Sequence, residues 1–317
     1  MSRARRVRVA VVGGGFTGQL VAEALRARRA IVRVGDRDPA LGDVVVDLRD
    51  TAELRRFVRG ADVLVGCAGP FVHTTAALVS AAVTAGAAYV DISGEGPSLA
   101  ALYGQAMHTA SPVVAGMGFE FAVGDLLAEQ ALAEAGSGAT AVAVNYQLSR
   151  FWPSAGSMRS AAILLDAGGA GLLTRDSMGS LAMAWPSGEL ATIPRRHPGV
   201  SVRTTMVFDA AALTVPVAIA VRAARPVVSA VLRRVPLLAG PVPAFRRQVG
   251  FRIRATALGR WEGAAEATGD DPYALTAAIA ATTAVCSGDL PPKVLTPCEA
   301  AHALGRDHEP RSWGAAA

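Results

Sequence analysis

The chain is 317 residues long, 51% hydrophobic and 18% charged, which excludes an intrinsically disordered protein and supports one large domain or two of ordinary size. Lys and Arg outnumber Asp and Glu by 31 to 26, but the arginines are scattered, apart from Arg3, Arg5, Arg6 and Arg8 and a group between residues 222 and 234. With aromatic residues at 5%, no stacking platform accompanies that charge, so a nucleic-acid partner is excluded.

The apolar run Val7 to Val12 predicts a first strand, and Gly13-Gly14-Gly15-Phe16-Thr17-Gly18 leads from it into a helix over Thr17 to Arg28. In that strand-turn-helix setting the glycines have separate tasks: Gly13 for a tight turn, Gly15 for close approach of backbone to a pyrophosphate, and Gly18 for packing helix on strand. A second strand, Ala30 to Val34, runs on to Asp36, an acidic residue at the right distance to accept bonds from a ribose hydroxyl. Asp36 and Arg37 compete in meaning. A carboxylate repels a 2′-phosphate, whereas the arginine beside it could pair with one, so NAD and NADP both stay open. Asp47, ending a strand over Asp43 to Asp47, joins the same cofactor group.

Further strand and helix signals alternate: helix Thr51 to Val58, strand Val63 to Cys67, helix Thr74 to Ala85, strand Tyr89 to Ile92 and strand Pro112 to Ala115. This alternation predicts an α/β fold, a Rossmann doubly wound parallel sheet over residues 1–122. Cys67, Ala68, Gly69, Pro70 and Phe71 follow the fourth strand, where the loops of such a sheet pass the cofactor, and are read as a wall of its site. His73, just beyond, is a candidate proton donor or a helix-capping residue. Asp91 and Glu95 after the fifth strand could position a substrate or the nicotinamide ribose; alternatively they satisfy loop N–H groups and a neighbouring arginine.

Near Gly116 the pattern changes, and a second, α+β domain with a mainly antiparallel sheet is expected over residues 123–295. Asp125 is a candidate N-cap for a helix Leu126 to Ala135, and structural capping is as well supported as function for it and for Glu120. Strands are expected at Thr140 to Leu148, Ser201 to Phe208 and Val249 to Leu258. Arg159, at a helix start after Gly156, would suit a substrate carboxylate or a phosphopantetheine phosphate, although surface solvation is the commoner fate of an arginine. Thr296-Pro297-Cys298-Glu299 has the form of a capping box opening a last helix, 296–317, that could return to the first domain. The apolar stretch from Ala211 to Val242, interrupted by Arg222, Arg225, Arg233 and Arg234, reads as a buried helix pair broken by Pro216, Pro226 and Pro236. Its second reading is a basic surface in peripheral contact with membrane or covering a lipid-like substrate.

Three widely spaced cysteines fit a reducing interior, and the N-terminus has no apolar leader, so a cytoplasmic location is expected. His73, His108, His197, His302 and His308 show no ligand spacing with the cysteines or each other, which argues against a metal site. Lys293 is the only lysine, and Asp289 stands four residues before it, so the Tyr-Lys mechanism of short-chain dehydrogenases is excluded. No Gly-x-Ser-x-Gly elbow occurs, which disfavours a hydrolase.

Five tracts together resemble the saccharopine-dehydrogenase-like oxidoreductases, particularly the bacterial branch that includes trans-acting enoyl reductases. They are Val11 to Gly18, Cys67 to Phe71, Tyr89-Val90-Asp91-Ile92-Ser93-Gly94-Glu95, Gly116 to Phe119 with Asp125, and Gly156 to Ser160; Gly269 to Thr276 looks like the family's closing motif. The chain departs from many relatives in reading Gly35-Asp36-Arg37 where they carry Gly-Arg. The resemblance implies an NAD(P)-binding domain joined to a substrate domain and a reductase of an activated C=C, C=N or C=O group, acting on a small-molecule or carrier-bound acyl substrate. Open beside it are a saccharopine-type dehydrogenase, a non-redox cyclase, an accessory protein with a structural nucleotide, and assembly as a homodimer.

Overall fold

The computed structural model describes residues 5–105, 107–149, 154–166, 173–175, 181–209 and 250–306. Its described residues form two compact units, one built from those up to Ser93, Ala101–Ala122 and those from Tyr273 onward, the other from Gly94–Ala100 and Val123–Pro272.

In the first unit, strands β1 (Arg8–Val12), β2 (Ile31–Asp36), β3 (Val44–Val45), β4 (Val63–Gly66), β5 (Ala88–Asp91) and β6 (Val113–Val114) are joined by a late strand, Val294–Leu295. All pair in parallel, with β1 central: β2 and β3 extend to one side, and β4, β5, β6 and Val294–Leu295 to the other. Val9 to Val12 and Val63 to Val65 are almost wholly buried, which explains why these strands are unbroken apolar runs. Helix α1 (Phe16–Ala27) buries Gly18, Val21, Ala22 and Leu25, one stripe at helical spacing. Asp50 caps α2 (Thr51–Val58), accepting from the amides of Ala52 and Glu53, and Gly86, left-handed at φ 68°, ends α3 (Phe71–Ala85). This is the doubly wound α/β fold expected, and the chain reverses its direction of growth between β2 and β4, on either side of β1.

The domain boundaries differ from expectation at two places, the first being Gly94–Ala100, which falls in the second unit. Residues 273–295 belong to the first unit, not the second, because the helix Pro272–Val285 leads to Val294–Leu295, which pairs with β6. The Thr296 capping box is present, with Thr296 accepting from the Glu299 amide and Glu299 from that of Thr296, and opens the helix Pro297–Ala303. Residues 307–317 of the expected last helix lie outside the described residues.

The second unit holds a six-stranded mixed sheet in the order β12, β11, β7, β10, β9, β8, formed by β7 (Ala141–Ser149), β8 (Leu173–Arg175), β9 (Leu181–Ala184), β10 (Ser201–Asp209), β11 (Gly250–Leu258) and β12 (Glu262–Gly269). Only β7 and β10 run parallel. Val142, Val144, Tyr146 and Leu148 alternate along β7 and are buried, the period-two pattern of a strand with one face in a core. Helix α4 (Gly124–Ala135) packs on β12, β11 and β7. It starts directly from a π-turn, Phe119–Val123, which carries Glu120, so Asp125 lies within its first turn and is not its cap. No helix among the described residues is long and apolar enough to cross a membrane. The stretch 211–242, read as buried helices or a membrane-touching surface, lies outside the described residues.

Candidate functional site

The bend after β1 is held by its neighbours. Gly13 donates to the Gly35 carbonyl at 2.8 Å, and Cys67 to that of Val12 at 2.7 Å, so the β1, β2 and β4 ends stay paired to the rim of the sheet. Gly13 has φ 99°, and a Cβ there would stand 2.6 Å from the Ala68 nitrogen. A Cβ on Gly14 would lie 1.8 Å from the Leu41 oxygen, and one on Gly18 1.8 Å from the Gly13 oxygen. Gly15 is different: it is exposed, its φ of −65° suits any residue, and a Cβ on it would meet nothing within 4 Å. Three glycines thus fit the bend to the protein, and the fourth leaves its outer side open.

That open side faces the start of α1, where Phe16 and Thr17 begin the helix and no side chain caps it. First-turn N–H groups and the positive end of the helix dipole suit an anion there. Asp36 ends β2 beside the bend; its Oδ2 accepts from the Gly14 amide at 2.7 Å and its Oδ1 from that of Asp38 at 2.9 Å. Gln19, which no motif singled out, donates to the Gly14 carbonyl at 3.0 Å and the Leu41 carbonyl at 2.8 Å, fastening the turn after β2 to the bend. Arg37 is exposed. Asp47 is committed elsewhere: Arg49 grips its carboxylate from 2.7 Å and holds it down at about 2, with Arg37 adding a smaller pull. Its carboxylate is thus engaged in a local Asp47–Arg49 pair.

The residues present fit an adenine dinucleotide: open backbone for a pyrophosphate at Gly15, an uncapped helix start, and a fixed carboxylate for a ribose at Asp36. Cys67, Ala68, Gly69 and Pro70 continue β4 along the same rim, partly exposed, and Phe71 is buried at the start of α3. Thr74 donates to the Ala68 carbonyl at 2.7 Å, which anchors this loop. Burial, with Asp91 nearby, pushes the Cys67 thiol up, so it stays a neutral wall residue. His73 is exposed in the first turn of α3, where its amide meets the Pro70 carbonyl.

Asp91 is fully buried, and its carboxylate is occupied. Oδ1 accepts from the amide and hydroxyl of Ser93 at 3.0 and 2.8 Å and from the Gly116 amide at 2.7 Å, while Oδ2 accepts from the Tyr89 hydroxyl at 2.8 Å. Burial pushes this carboxyl up and the four bonds oppose it. The catalytic reading of Asp91 is corrected: it clamps the end of β5 to the loop after β6. Glu95 falls in the other unit. There, 2% exposed, Glu95 accepts from the Ser160 hydroxyl at 2.6 Å, which ties the Gly94–Ala100 segment to the helix Ala155–Asp166 that also carries Arg159.

Two polar clusters in the second unit escaped motif reading. In the first, Asp125, fully buried, takes a bidentate grip from Arg196 (2.8 and 3.2 Å) and a bond from Thr192 at 2.6 Å, while Glu129 accepts from Arg196 at 3.1 Å and meets His197 at 2.8 Å. In the second, the Tyr146 hydroxyl donates to Glu189 Oε1, both side chains being buried. Burial, reinforced by the charge of Asp125, raises the Glu189 carboxyl from 4.5 to about 8. A carboxyl raised on folding stabilises fully below its unfolded value and loses that contribution as pH climbs through the folded one. The unfolding free energy from urea titrations is therefore expected to fall between pH 4.5 and 8 by on the order of a few kcal/mol, and Glu189→Gln to flatten that slope. A slope unchanged in the variant would assign it to other groups.

Residues 9–114 match the family model of the saccharopine dehydrogenase NADP binding domain. Among solved structures, the apo, histidine-tagged saccharopine dehydrogenase (L-Glu forming) from Saccharomyces cerevisiae is 13% identical, with 94% of this chain and 96% of that one covered and a TM-score of 0.56. The amine dehydrogenase from Mycobacterium smegmatis is 13% identical over 93% and 96%, TM-score 0.47, and GenD2 of gentamicin A biosynthesis, in complex with NAD, 13% over 99% and 95%, TM-score 0.44. No curated protein matches the sequence. The likeness to the yeast saccharopine dehydrogenase is one of fold, while the sequence match falls on the strands and loops that carry the glycine bend and Asp36: residues 9–114 form an NAD(P)-binding domain similar to that of the saccharopine dehydrogenases.

Proposed function

We propose that this chain is an NAD(P)H-dependent reductase of an activated double bond, either a conjugated C=C on a lipid-like or carrier-bound acyl chain or a C=N or C=O in a secondary metabolite. The observation that carries the redox reading is the open backbone at Gly15 beside a carboxylate fixed on the Gly14 amide. The bound dinucleotide would supply the hydride. The chain's own part is to hold: the α1 start neutralises phosphate charge, Asp36 orients a ribose, and the rim from Cys67 to Phe71 walls the site. The substrate class rests on the chain's resemblance to the bacterial branch that includes trans-acting enoyl reductases, for which the Tyr89–Glu95 tract is the most specific. A single lysine argues against a highly charged amino-acid substrate of the saccharopine type.

The test is to titrate purified protein with NADH and NADPH by nicotinamide fluorescence, then to follow loss of reduced nicotinamide absorbance with enoyl thioester, imine and ketone panels. Oxidation that depends on one substrate class supports the proposal. Tight binding with no oxidation by any panel would shift the reading to a cyclase or accessory protein with a structural nucleotide.

A further inference from the structure

We infer that this chain takes NAD(H) in preference to NADP(H) and that Asp36 is the residue that decides. The inference rests on the dinucleotide reading above and narrows it. A carboxylate has about four acceptor positions over its two oxygens. In Asp36 one position on each oxygen is filled by a backbone amide, Gly14 on Oδ2 at 2.7 Å and Asp38 on Oδ1 at 2.9 Å. One acceptor position per oxygen remains, which matches the two hydroxyl donors of an adenosine ribose. A 2′-phosphate removes one of those donors and adds about two negative charges at neutral pH.

The carboxylate has little freedom to retreat from that charge. Asp36 lies in β2, whose Gly35 carbonyl accepts from Gly13, and the turn that follows is tied back by Gln19 through the Leu41 carbonyl. Letting a 2′-phosphate in would mean breaking the Gly14 bond that shapes the bend itself.

Arg37 is the residue that could reverse this sign, and its surroundings oppose it. It sits between two carboxylates in sequence, Asp36 and Asp38, and its charge also acts on Asp47. Around the end of β2 stand four carboxylates (Asp36, Asp38, Asp43, Asp47) and three guanidinium groups (Arg26, Arg37, Arg49), of which Arg49 is already paired bidentately with Asp47 and Arg26 pairs with Asp43 at 3.8 Å. The local field is thus negative before a phosphate arrives. The matching family model is an NADP-binding one, so the preference is a departure made by this chain's own residues.

Calorimetric or fluorescence titration of the full chain with NADH and with NADPH measures the preference without any substrate. The expected result is NADH binding tighter by about tenfold or more, and a ratio that closes in Asp36→Asn, which keeps the shape and one of the two amide bonds and removes the charge, mainly because NADPH binds better. Asp36→Ser, with a smaller side chain, is expected to move the ratio in the same direction. Equal or tighter binding of NADPH by the unaltered chain overturns the inference and leaves the dinucleotide reading standing. Equal weakening of both coenzymes in both variants also overturns it, assigning Asp36 to the shape of the bend alone. Failure of the unaltered chain to bind either coenzyme overturns this inference and the dinucleotide reading together.

Discussion

Gly15→Val is expected to leave the fold of this protein intact while weakening dinucleotide binding roughly a hundredfold or more, a loss of about 2.8 kcal/mol or more. The separation follows from geometry: the added Cβ meets no protein atom within 4 Å, and the backbone is already in a conformation open to any residue. Losing glycine at a helix N-cap costs about 0.5–1 kcal/mol, and the reduced freedom of the unfolded chain returns a similar amount. The melting temperature should therefore move by no more than about 3 °C. Gly14→Val and Gly18→Val provide the contrast, because each would drive a carbon to 1.8 Å from a backbone oxygen. Those two should unfold the bend and lower the melting temperature sharply. Circular dichroism melts beside coenzyme titrations read both quantities, and undiminished binding in Gly15→Val would remove the pyrophosphate from the place assigned to it.

Arg196→Met is expected to be the most damaging single change in the second unit, at about 3–5 kcal/mol of lost stability. Asp125 has no exposed surface, so removing the guanidinium that grips both its oxygens strands a carboxylate in the interior, with only the Thr192 hydroxyl left among the bonds described above. Lysine is a poor substitute, because its point charge does not reproduce the fork that binds Asp125 and Glu129 together. The double change Asp125→Asn with Arg196→Met should recover part of the loss by removing the stranded charge. Urea unfolding at neutral pH measures all three, and a cost below about 1 kcal/mol for Arg196→Met would show the pair to be solvent-screened.

The first unit was legible because its central strands β1 and β4 are buried on both faces and therefore appear as unbroken apolar runs punctuated by glycine. Val7 to Val12 followed by Gly13 to Gly18 carries its own structural instruction within a dozen residues. The second unit was harder. Strand β12, Glu-Gly-Ala-Ala-Glu-Ala-Thr-Gly, has Thr268 as its one branched residue and no aromatic to mark it as a strand, and it forms because it pairs with β11 along its whole length, from Phe251 with Gly269 to Leu258 with Glu262. Asp125 looked like a cap because it precedes an apolar helix, but the π-turn before it starts that helix earlier and frees the side chain for Arg196, seventy-one residues on. Asp91 shows the same limit: its position after a strand was readable, while its tie to Gly116 depends on a chain reversal that local pattern does not encode. Gln19 carries no motif signal at all, since what it joins is two carbonyl groups.

The strand Val294–Leu295 completes an edge of the sheet whose other members lie before residue 115. During translation, the polypeptide that carries the glycine bend emerges from the ribosome well before its last hydrogen-bonding partner does. The coenzyme half is thus begun first and finished last, with some 150 residues of the other unit made in between. Stalled or truncated products ending before residue 290 would expose the β6 edge and the buried faces of Val113 and Val114, and quality-control proteases should remove them even though every residue of the nucleotide fingerprint is present.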